Sequence, residues 1–385
     1  MRDDDPIEEI LSTVRRFIRT EVVPLEAKID EDDAIPDGIR AKVRDLGLYG
    51  FAIPEEYGGL GLSMLDEVRL VFELGYTTPA LRSLVGTNNG IAGHTLMTGG
   101  TAAQRTEWLP RLASGEVVAS FALTEENAGS DPSRLKTTAR RDGEHWVIDG
   151  AKRYITNAPW ADVFMVYART NPDAAPAKGI STFLVPSGTA GLTVGPRDHK
   201  MGQQGAWTSD VYFDGVRVPD SAMIGGADGV DTGYLTAMRS LAHGRIGIAA
   251  LCVGMSSRLV DETVSYAATR EQGGSVIGEY QLIQGLVADS VTDYRAARSL
   301  VLDVAREFDD GTDQRLGPAC AKYFASEAVG RIADRAVQVH GGAGYMRGVA
   351  VERFYRDARL FRIYEGTSQI QQVIIAKQAL RAAQR

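Results

Sequence analysis

Near the C-terminus, the run Ile363-Tyr364-Glu365-Gly366-Thr367-Ser368-Gln369-Ile370-Gln371 sets one carboxylate between an aromatic ring and a glycine. The Thr-Ser-Gln that follows is a helix N-cap signal, and Ile370, Val373, Ile374 and Ala376 supply the apolar positions of a last helix. Glu365 therefore falls on the turn before a helix N-terminus. A carboxylate held there, beside a ring and apolar neighbours, loses hydration, and its pKa rises toward that of a useful general base. Gly366 clears one flank, and the free N–H groups of the first helical turn can face a phosphate or an electron-rich ring. For this segment in isolation an ordinary capping glutamate is the simpler account, so the rest of the chain has to decide.

Two further stretches carry polar and aromatic groups on turns. Phe121-Ala122-Leu123-Thr124-Glu125-Glu126-Asn127-Ala128-Gly129-Ser130-Asp131 reads as a strand entering a small-residue turn, whose N–H groups and hydroxyls can bind the edge of a planar heterocycle while Phe121 or Tyr154 packs on its face. Lys152-Arg153-Tyr154-Ile155-Thr156-Asn157 alternates polar and aromatic residues on the next hairpin. Alone, each is also ordinary strand composition. The glycine cluster Gly341-Gly342-Ala343-Gly344-Tyr345-Met346-Arg347-Gly348 does not complete G-x-G-x-x-G and follows a helical pattern, so a Rossmann site is excluded. No P-loop, G-x-S-x-G or zinc motif is present. His94, His145, His199, His243 and His340 lack ligand spacing, which predicts no metal site, and Cys252 and Cys320 lie in apolar helical patterns that predict buried, reduced thiols.

The elements that must position these groups fall into three blocks. Ile7, Ile10, Leu11, Val14, Phe17, Ile18 and Val22 recur at helical steps up to Pro24, and helical patterns follow at 39–46, 64–74, 83–97 and 102–112. Residues 1–116 thus form an N-terminal α-helical domain. From Val117 the period becomes that of strands, and the pairs Asp142-Gly143, Asp149-Gly150 and Asp214-Gly215 between short runs rich in Val, Ile, Thr and aromatics predict hairpins. Residues 117–229 are expected to form a central antiparallel β-barrel or sandwich domain rather than a parallel sheet. Helical patterns at 233–270, 279–309, 312–340 and 367–384 predict a C-terminal four-helix bundle over 230–385. The fold class is α+β multidomain. At 385 residues, 44% hydrophobic and 24% charged, the chain has the composition of a soluble protein with large cores, and its net charge of −8 argues against nucleic acid as the main partner. The N-terminal Met1-Arg2-Asp3-Asp4-Asp5-Pro6 lacks the features of a signal peptide and no apolar run is long enough to span a membrane, so a cytoplasmic location is expected.

Taken together, FALTEENAGSD, KRYITN with the later KMGQQG at 200–205, GRIGIAA at 244–250, QVHGGAGY at 338–345 and the terminal YEGTSQIQ resemble, in order and spacing, the flavin-dependent acyl-CoA dehydrogenase family. The likeness covers essentially the whole chain and includes the domain order. It implies FAD as cofactor, with Phe121, Leu123, Thr124, Gly129 and Ser130 lining the flavin and Tyr154, Ile155 and Thr156 meeting it from the other side. It also implies that Arg270, Gln281 and Gln338, Val339, His340, Gly341 and Gly342 reach the FAD of a neighbouring subunit, while Thr367 and Gln369 hold that of their own. Ser130, Arg245, Tyr364, Gly366 and Lys377 would meet the acyl-CoA, and Glu365 would be the catalytic base.

By the same likeness, Glu365 would remove an α-proton from the thioester as a β-hydride moves to the flavin, giving a trans-2-enoyl-CoA, with the electrons passed to an electron-transfer flavoprotein. The likeness also implies a homotetramer. The end of the acyl pocket is expected around Asn88 to Met97. An acyl-CoA oxidase, a flavin monooxygenase on the same fold and a non-catalytic CoA-binding relative are the alternative readings. Gly244 stands where some relatives place the base, leaving Glu365 without a competitor. Two positions depart from the family pattern: Gly273 replaces a ring expected against the adenine, and Ala242 stands where many relatives have an Asp that contacts CoA.

Overall fold

Ile7, Leu11, Val14, Phe17 and Ile18 are all buried, which makes the first apolar stripe the inner face of helix α1 (Pro6–Phe17). The structure, a computed structural model, describes residues 6–384. The helix does not run straight to Pro24. It widens into a π turn over Ile18–Val22 and tightens into a 3-10 turn at Val23–Leu25, because Pro24 has no N–H to give. Helices α2 (Glu26–Asp32), α3 (Asp37–Asp45), α4 (Met64–Leu74), α5 (Pro79–Asn89), α6 (Ile91–Gly99) and α7 (Ala102–Ala113) complete the first block. Side chains set their starts: the Ser63 hydroxyl accepts the Asp66 N–H at 3.2 Å, and Thr101 with Gln104 forms a capping box.

The stretch 83–97, which the sequence presents as one helix, is divided between α5 and α6, because Gly90 leaves the helical region at φ −88°, ψ −104°. Asn88 and Asn89, at the end of α5, are buried and bind other segments. Asn88 accepts the Ala119 N–H at 2.9 Å and donates to the carbonyls of Leu112 and Val117, while Asn89 accepts the Ala52 N–H at 2.9 Å. Buried amides satisfied in this way fix the first helical block to the first strand.

That strand, β1 (Ala119–Ala122), joins β2 (Thr138–Asp142), β3 (His145–Thr156), β4 (Val163–Arg169), β5 (Ile180–Pro186), β6 (Leu192–Arg197) and β7 (Thr208–Pro219) in one seven-stranded sheet, ordered β1-β4-β2-β3-β7-β6 with β5 on β4. The β2–β3, β3–β7, β4–β5 and β6–β7 pairings are antiparallel, as the hairpin pattern predicts. β1 instead runs parallel to β4 from Ala119↔Val163 to Ala122↔Val166, and β2 meets β4 in parallel at Thr138↔Arg169. Of the three Asp-Gly pairs, only Asp142-Gly143 closes a hairpin. Asp149-Gly150 and Asp214-Gly215 face one another inside β3 and β7 where the ladder slips, with the Gly215 N–H on Asp149 Oδ1 at 2.7 Å, so they mark a bulge. β4 is buried on both faces: Val163, Met165 and Tyr167 enter one core, and Phe164, Val166 and Ala168 another.

The last block is built on α8 (Gly233–Thr269), a helix of 37 residues, followed by the short strands β8 (Glu271–Gln272) and β9 (Ser275–Val276), then α9 (Gln281–Asp309), α10 (Leu316–His340), α11 (Ala350–Ala358) and α12 (Ser368–Ala382). α8 packs on α9, α10 and α11 and also on α4 and α6, so one helix joins the bundle to the first block. No helix is long and apolar enough to cross a membrane among the described residues. Cys252 is buried on α8 and Cys320 half-buried on α10, and neither forms a disulfide.

The turn after β1 is held from inside. Glu125 accepts from Lys136 N–H (2.6 Å), Thr137 N–H (3.0 Å), the Thr137 hydroxyl (2.6 Å) and the ammonium of Lys152 (2.7 Å), which is itself wholly buried. Burial pushes Lys152 down to about 8 against the pull of Glu125. Glu125→Gln leaves a buried ammonium without its counter-charge, and is expected to cost about 3–5 kcal/mol in urea unfolding; a loss below about 1 kcal/mol would show that the pair does not hold the turn.

Candidate active site

Gly244 and Gly247 lie one turn apart on α8, and each leaves room for a charged group from another element. A Cβ at Gly244 would stand 2.6 Å from Oε2 of Glu365, and a Cβ at Gly247 would stand 2.9 Å from Nη2 of Arg82. The carboxylate thus rests on bare backbone of α8. Its Oε2 is buried and has no hydrogen-bond partner. Burial raises the pKa of Glu365 above the ordinary carboxylate range, while Arg82, Arg245, Lys322 and His243 pull it down.

The backbone that delivers this carboxylate is unusual. Glu365 has φ +55° and Gly366 φ +87°, two successive left-handed residues, and for glutamate that conformation is strained. Two donors and a helix cap hold the turn. Lys322, wholly buried on α10, donates to the Gly366 carbonyl at 2.7 Å; Gln371 donates to the carbonyls of Gly366 and Glu365 at 3.0 and 3.2 Å; and Thr367 caps α12 by accepting the Ile370 N–H at 3.2 Å. Burial pushes Lys322 down to about 8. A Cβ at Gly366 would stand 2.5 Å from Gln371 Nε2, so the glycine is required for that contact as well as for its φ.

A second cluster forms where the end of β1 meets β3. The Arg153 N–H donates to the Thr124 carbonyl at 2.8 Å and the Ser120 hydroxyl to the Thr156 carbonyl at 2.7 Å, so the 121–124 and 153–156 segments lie side by side. Between Lys152 and Ile155 the ladder to β7 slips, and within that slip Tyr154 takes φ +58° and is 62% exposed. A bulge that turns a ring outward is a device for presenting it to a ligand. Leu123 and Ile155, by contrast, are buried in the two sheet cores, so they can offer a ligand only backbone. Phe121 leans on Tyr167 with ring centroids 4.8 Å apart, and Gly129 and Ser130 are exposed, with open space beside Gly129.

A third cluster lies at the far end of α8. A cleft of about 340 Å3 is lined by Tyr266, Arg270, Gln272, Ile277 and residues 339–343. His340 stacks on Tyr266 at 4.1 Å and, like Val339, is buried, so the open surface there is Gly341 and Gly342 with the exposed Gln338, Arg270 and Gln281 nearby. Gly273 carries no ring, but the Tyr280 phenol bonds the Gln272 carbonyl at 2.7 Å beside it, and a Cβ at Gly273 would stand 2.8 Å from that oxygen. Tyr280, the residue before α9, brings an aromatic ring against the hairpin where sequence reasoning found none.

Arg270 lies 25 residues along α8 from Arg245, a separation of about 38 Å. Arg245 itself is buried, with Nε unpartnered, and near Glu365 and Tyr234; Ala242 is buried on the same helix. Tyr364 and Thr367 are half-buried in the turn, Gln369 is exposed, and Lys377 is exposed on α12 about 15 Å from Thr367, outside the cluster around Glu365.

Family models of the acyl-CoA dehydrogenase N-terminal, middle and C-terminal domains match residues 4–116, 120–216 and 231–380. The chain belongs to the acyl-CoA dehydrogenase family. It is 36% identical over 354 residues to the caffeyl-CoA reductase-Etf complex subunit CarC of Acetobacterium woodii, covering 92% of each chain. The solved butyryl-CoA dehydrogenase from Megasphaera elsdenii superposes with a TM-score of 0.93 at 30% identity, over 97% of this chain and 98% of that one. An FAD complex of PigA does so with 0.93 at 27% identity, over 98% of each chain. As an acyl-CoA dehydrogenase family member the chain is an oxidoreductase and takes FAD. The open flank at Gly129, the outward ring of Tyr154 and the uncovered Gly341 and Gly342 fit such a group.

Sequence reasoning missed Arg82, Lys322, Gln371 and the pairing of His94 with His243, whose rings stack at 4.7 Å. Only the run of glycines opposite Arg82, at 86, 90 and 247, hinted at a large side chain needing space. The small cavity beside Gly247 is lined by Phe51, Met64, Glu67, Arg82, Asn89 and Gly90 among others, so its wall draws on α4, α5 and α8 and includes the start of the Asn88–Met97 stretch expected.

Gly244→Ala tests the seat of the carboxylate. Its methyl group must displace Oε2, and a misplacement of about 1 Å is expected to slow turnover on the order of 100-fold. Helix propensity should leave the Tm unchanged or higher. Equal losses in turnover and Tm would point to packing instead of the position of Glu365.

Proposed function

We propose that the protein is an FAD-dependent acyl-CoA dehydrogenase that converts an acyl-CoA thioester to the trans-2-enoyl-CoA and passes its electrons to an electron-transfer flavoprotein. The observation that carries this reading is the unpartnered, buried Oε2 of Glu365 on Gly244. A carboxylate meant for structure would be hydrogen-bonded; one meant to take a carbon-bound proton is left a free lone pair in a dry site.

In this reading Glu365 accepts the α-proton, and its raised pKa brings its basicity closer to working pH. Lys322 and Gln371 hold the turn that aims it. Arg245 and Ser130 meet the CoA side, together with Tyr364, Gly366 and Lys377. Bound FAD supplies the two-electron acceptor for the β-hydride. Phe121, Leu123, Thr124, Gly129, Ser130, Tyr154, Ile155, Thr156, Thr367 and Gln369 would hold it at one end of α8, and Arg270, Gln281 and Gln338 to Gly342 at the other. The reductase relative supports a reversible site, since Glu365 can return the proton by the same path.

A separation of about 38 Å along α8 between the two cofactor clusters supports completion of each site by a neighbouring subunit, hence a homotetramer. The Etf complex named for the relative supports an electron-transfer flavoprotein as acceptor. Two unpaired cysteines support a reducing, cytoplasmic location. Divisions at 116/117 and 229/230 would separate the three domains.

Glu365→Gln is expected to bind acyl-CoA and slow anaerobic flavin bleaching by about 10²–10⁴-fold; bleaching at the wild-type rate would place the base elsewhere. The base works ionised, so the rate should fall as pH drops through the raised pKa of Glu365. The acid limb of kcat/KM is therefore expected above the ordinary carboxylate range, and a limb at or below about 4.3 would contradict the burial argument. Sedimentation of the FAD-loaded protein should show a tetramer, and an active FAD-loaded monomer would refute assembly of the site between subunits.

A further inference from the structure

Among the described residues, the non-glycine residues with a left-handed backbone are Asp33, Tyr154, Asn157, Gln203, Asp231 and Glu365, with φ between +49° and +64°. Such conformations persist only where the surroundings over-determine them, and they collect where the placement of a group matters. All but Asp231, which is bonded to Thr170 and Ser181, lie along one path from the outward ring of Tyr154 to Glu365. The segment 200–207, between β6 and β7, carries that path, and it contains the KMGQQG run.

At one end, Asn157, three residues after Tyr154, donates its N–H to the Trp207 carbonyl at 2.9 Å and its side-chain amide to the Ser83 carbonyl and the Thr87 hydroxyl of α5 at 3.0 and 2.9 Å. In the middle, Asp33 accepts the Gly205 N–H on Oδ1 at 2.6 Å and the Trp207 indole N–H on its carbonyl at 2.5 Å. At the other end, the Gln203 N–H donates to the buried carboxyl of Asp357 on α11, and Gln203 Nε2 donates to the Asp357 carbonyl at 3.2 Å. The Gln203 side chain is also hydrogen-bonded to the phenol of Tyr364, the residue before the base. Gly202 lets the two backbones meet, since a Cβ there would stand 2.7 Å from both the Arg356 carbonyl carbon and Asp357 Oδ1.

A buried amide that spans two polar partners fixes their separation, whereas a residue needed only for packing would be apolar. We propose that Gln203 is a positioning residue for the reaction: through Tyr364 it sets where Glu365 stands relative to the flavin-facing end of β3. This rests on the function proposed above. The α-proton still goes to Glu365 and the β-hydride to FAD, and Gln203 takes no part in bond making.

The test compares Q203M, Y364F and the double variant with the wild type, each loaded with FAD, by anaerobic flavin bleaching with the acyl-CoA that the wild type oxidises fastest. Methionine keeps the length of glutamine and makes neither side-chain bond. Q203M is expected to lower the limiting rate of reduction by roughly 10–100-fold, with FAD content, Tm and the Kd of the acyl-CoA at their wild-type values. Because the effect runs through the phenol, Y364F should lose a comparable factor, and the double variant no more than the larger of the two single losses. A wild-type limiting rate in Q203M overturns the proposal, and so do losses that multiply in the double variant, since the two residues would then act independently. A rate lost in Q203M only in proportion to Tm and FAD content assigns Gln203 to packing and also overturns it. If Q203M does not hold FAD, Y364F decides alone: a lower limiting rate at unchanged Kd supports the link, while an unchanged rate, or a rate lost together with affinity, overturns it. If no acyl-CoA bleaches the wild-type flavin, the function proposed above fails and this role falls with it.

Discussion

A carboxyl group that is buried and left without a partner at Oε2 is the constraint around which the C-terminal half is arranged. Glu365 gains no hydrogen bond at Oε2. It is compensated through space, by Arg82 on α5, Arg245 and His243 on α8 and Lys322 on α10. Field compensation of this kind lowers the cost of burial without occupying the lone pairs. It also explains why three helices from two blocks must converge on one turn. Had the cations been in contact, the carboxylate would have been an ordinary buried ion pair and a poor base.

Holding the charge there requires a backbone that glutamate does not favour. Left-handed glutamate costs about 1–3 kcal/mol and persists only where the surroundings over-determine it. Lys322 and Gln371 do this from below, by taking the carbonyls of Glu365 and Gly366, and the cap at Thr367 fixes the start of α12. The same economy appears at Tyr154, where a slipped ladder and positive φ turn a ring outward from a sheet that Glu125 and Lys152 pin from within. Strain is thus placed at the groups that face a ligand, and buried polar bonds lie directly beneath it.

Sequence reasoning reached the fold class and the Glu365 turn because both depend on local signals: apolar period, Asp-Gly and Thr-Ser-Gln. Its errors have physical causes. Two of the Asp-Gly pairs read as turns because composition alone does not separate a turn from a bulge, and the parallel β1–β4 pairing rests on contacts more than 40 residues apart, from 119 to 163. Gly90 divides a helix that periodicity joins. Arg82 escaped notice because it reads as one more surface arginine until α8 is placed against α5, when the glycines at 86 and 247 become its seat. Val339 and His340 line the distal cleft, and their side chains pack against Tyr266 and Ile277, so what they would offer a ligand is backbone.

α8 also sets the scale of the whole site. Along its 37 residues lie Gly244, Arg245 and Gly247 at the substrate end, and it ends at the Tyr266–Arg270 cleft. A helix is a rigid spacer of about 1.5 Å per residue, so the two ends cannot approach one another by any local rearrangement. If one cofactor uses both kinds of surface, the second must come from another copy of the chain, and the exposed Leu282, Tyr345 and Met346 near the distal cleft are the apolar surface that such a copy would cover. Cofactor affinity and subunit association would then be linked by mass action, each strengthening the other, because a ligand shared between chains stabilises only the assembled state.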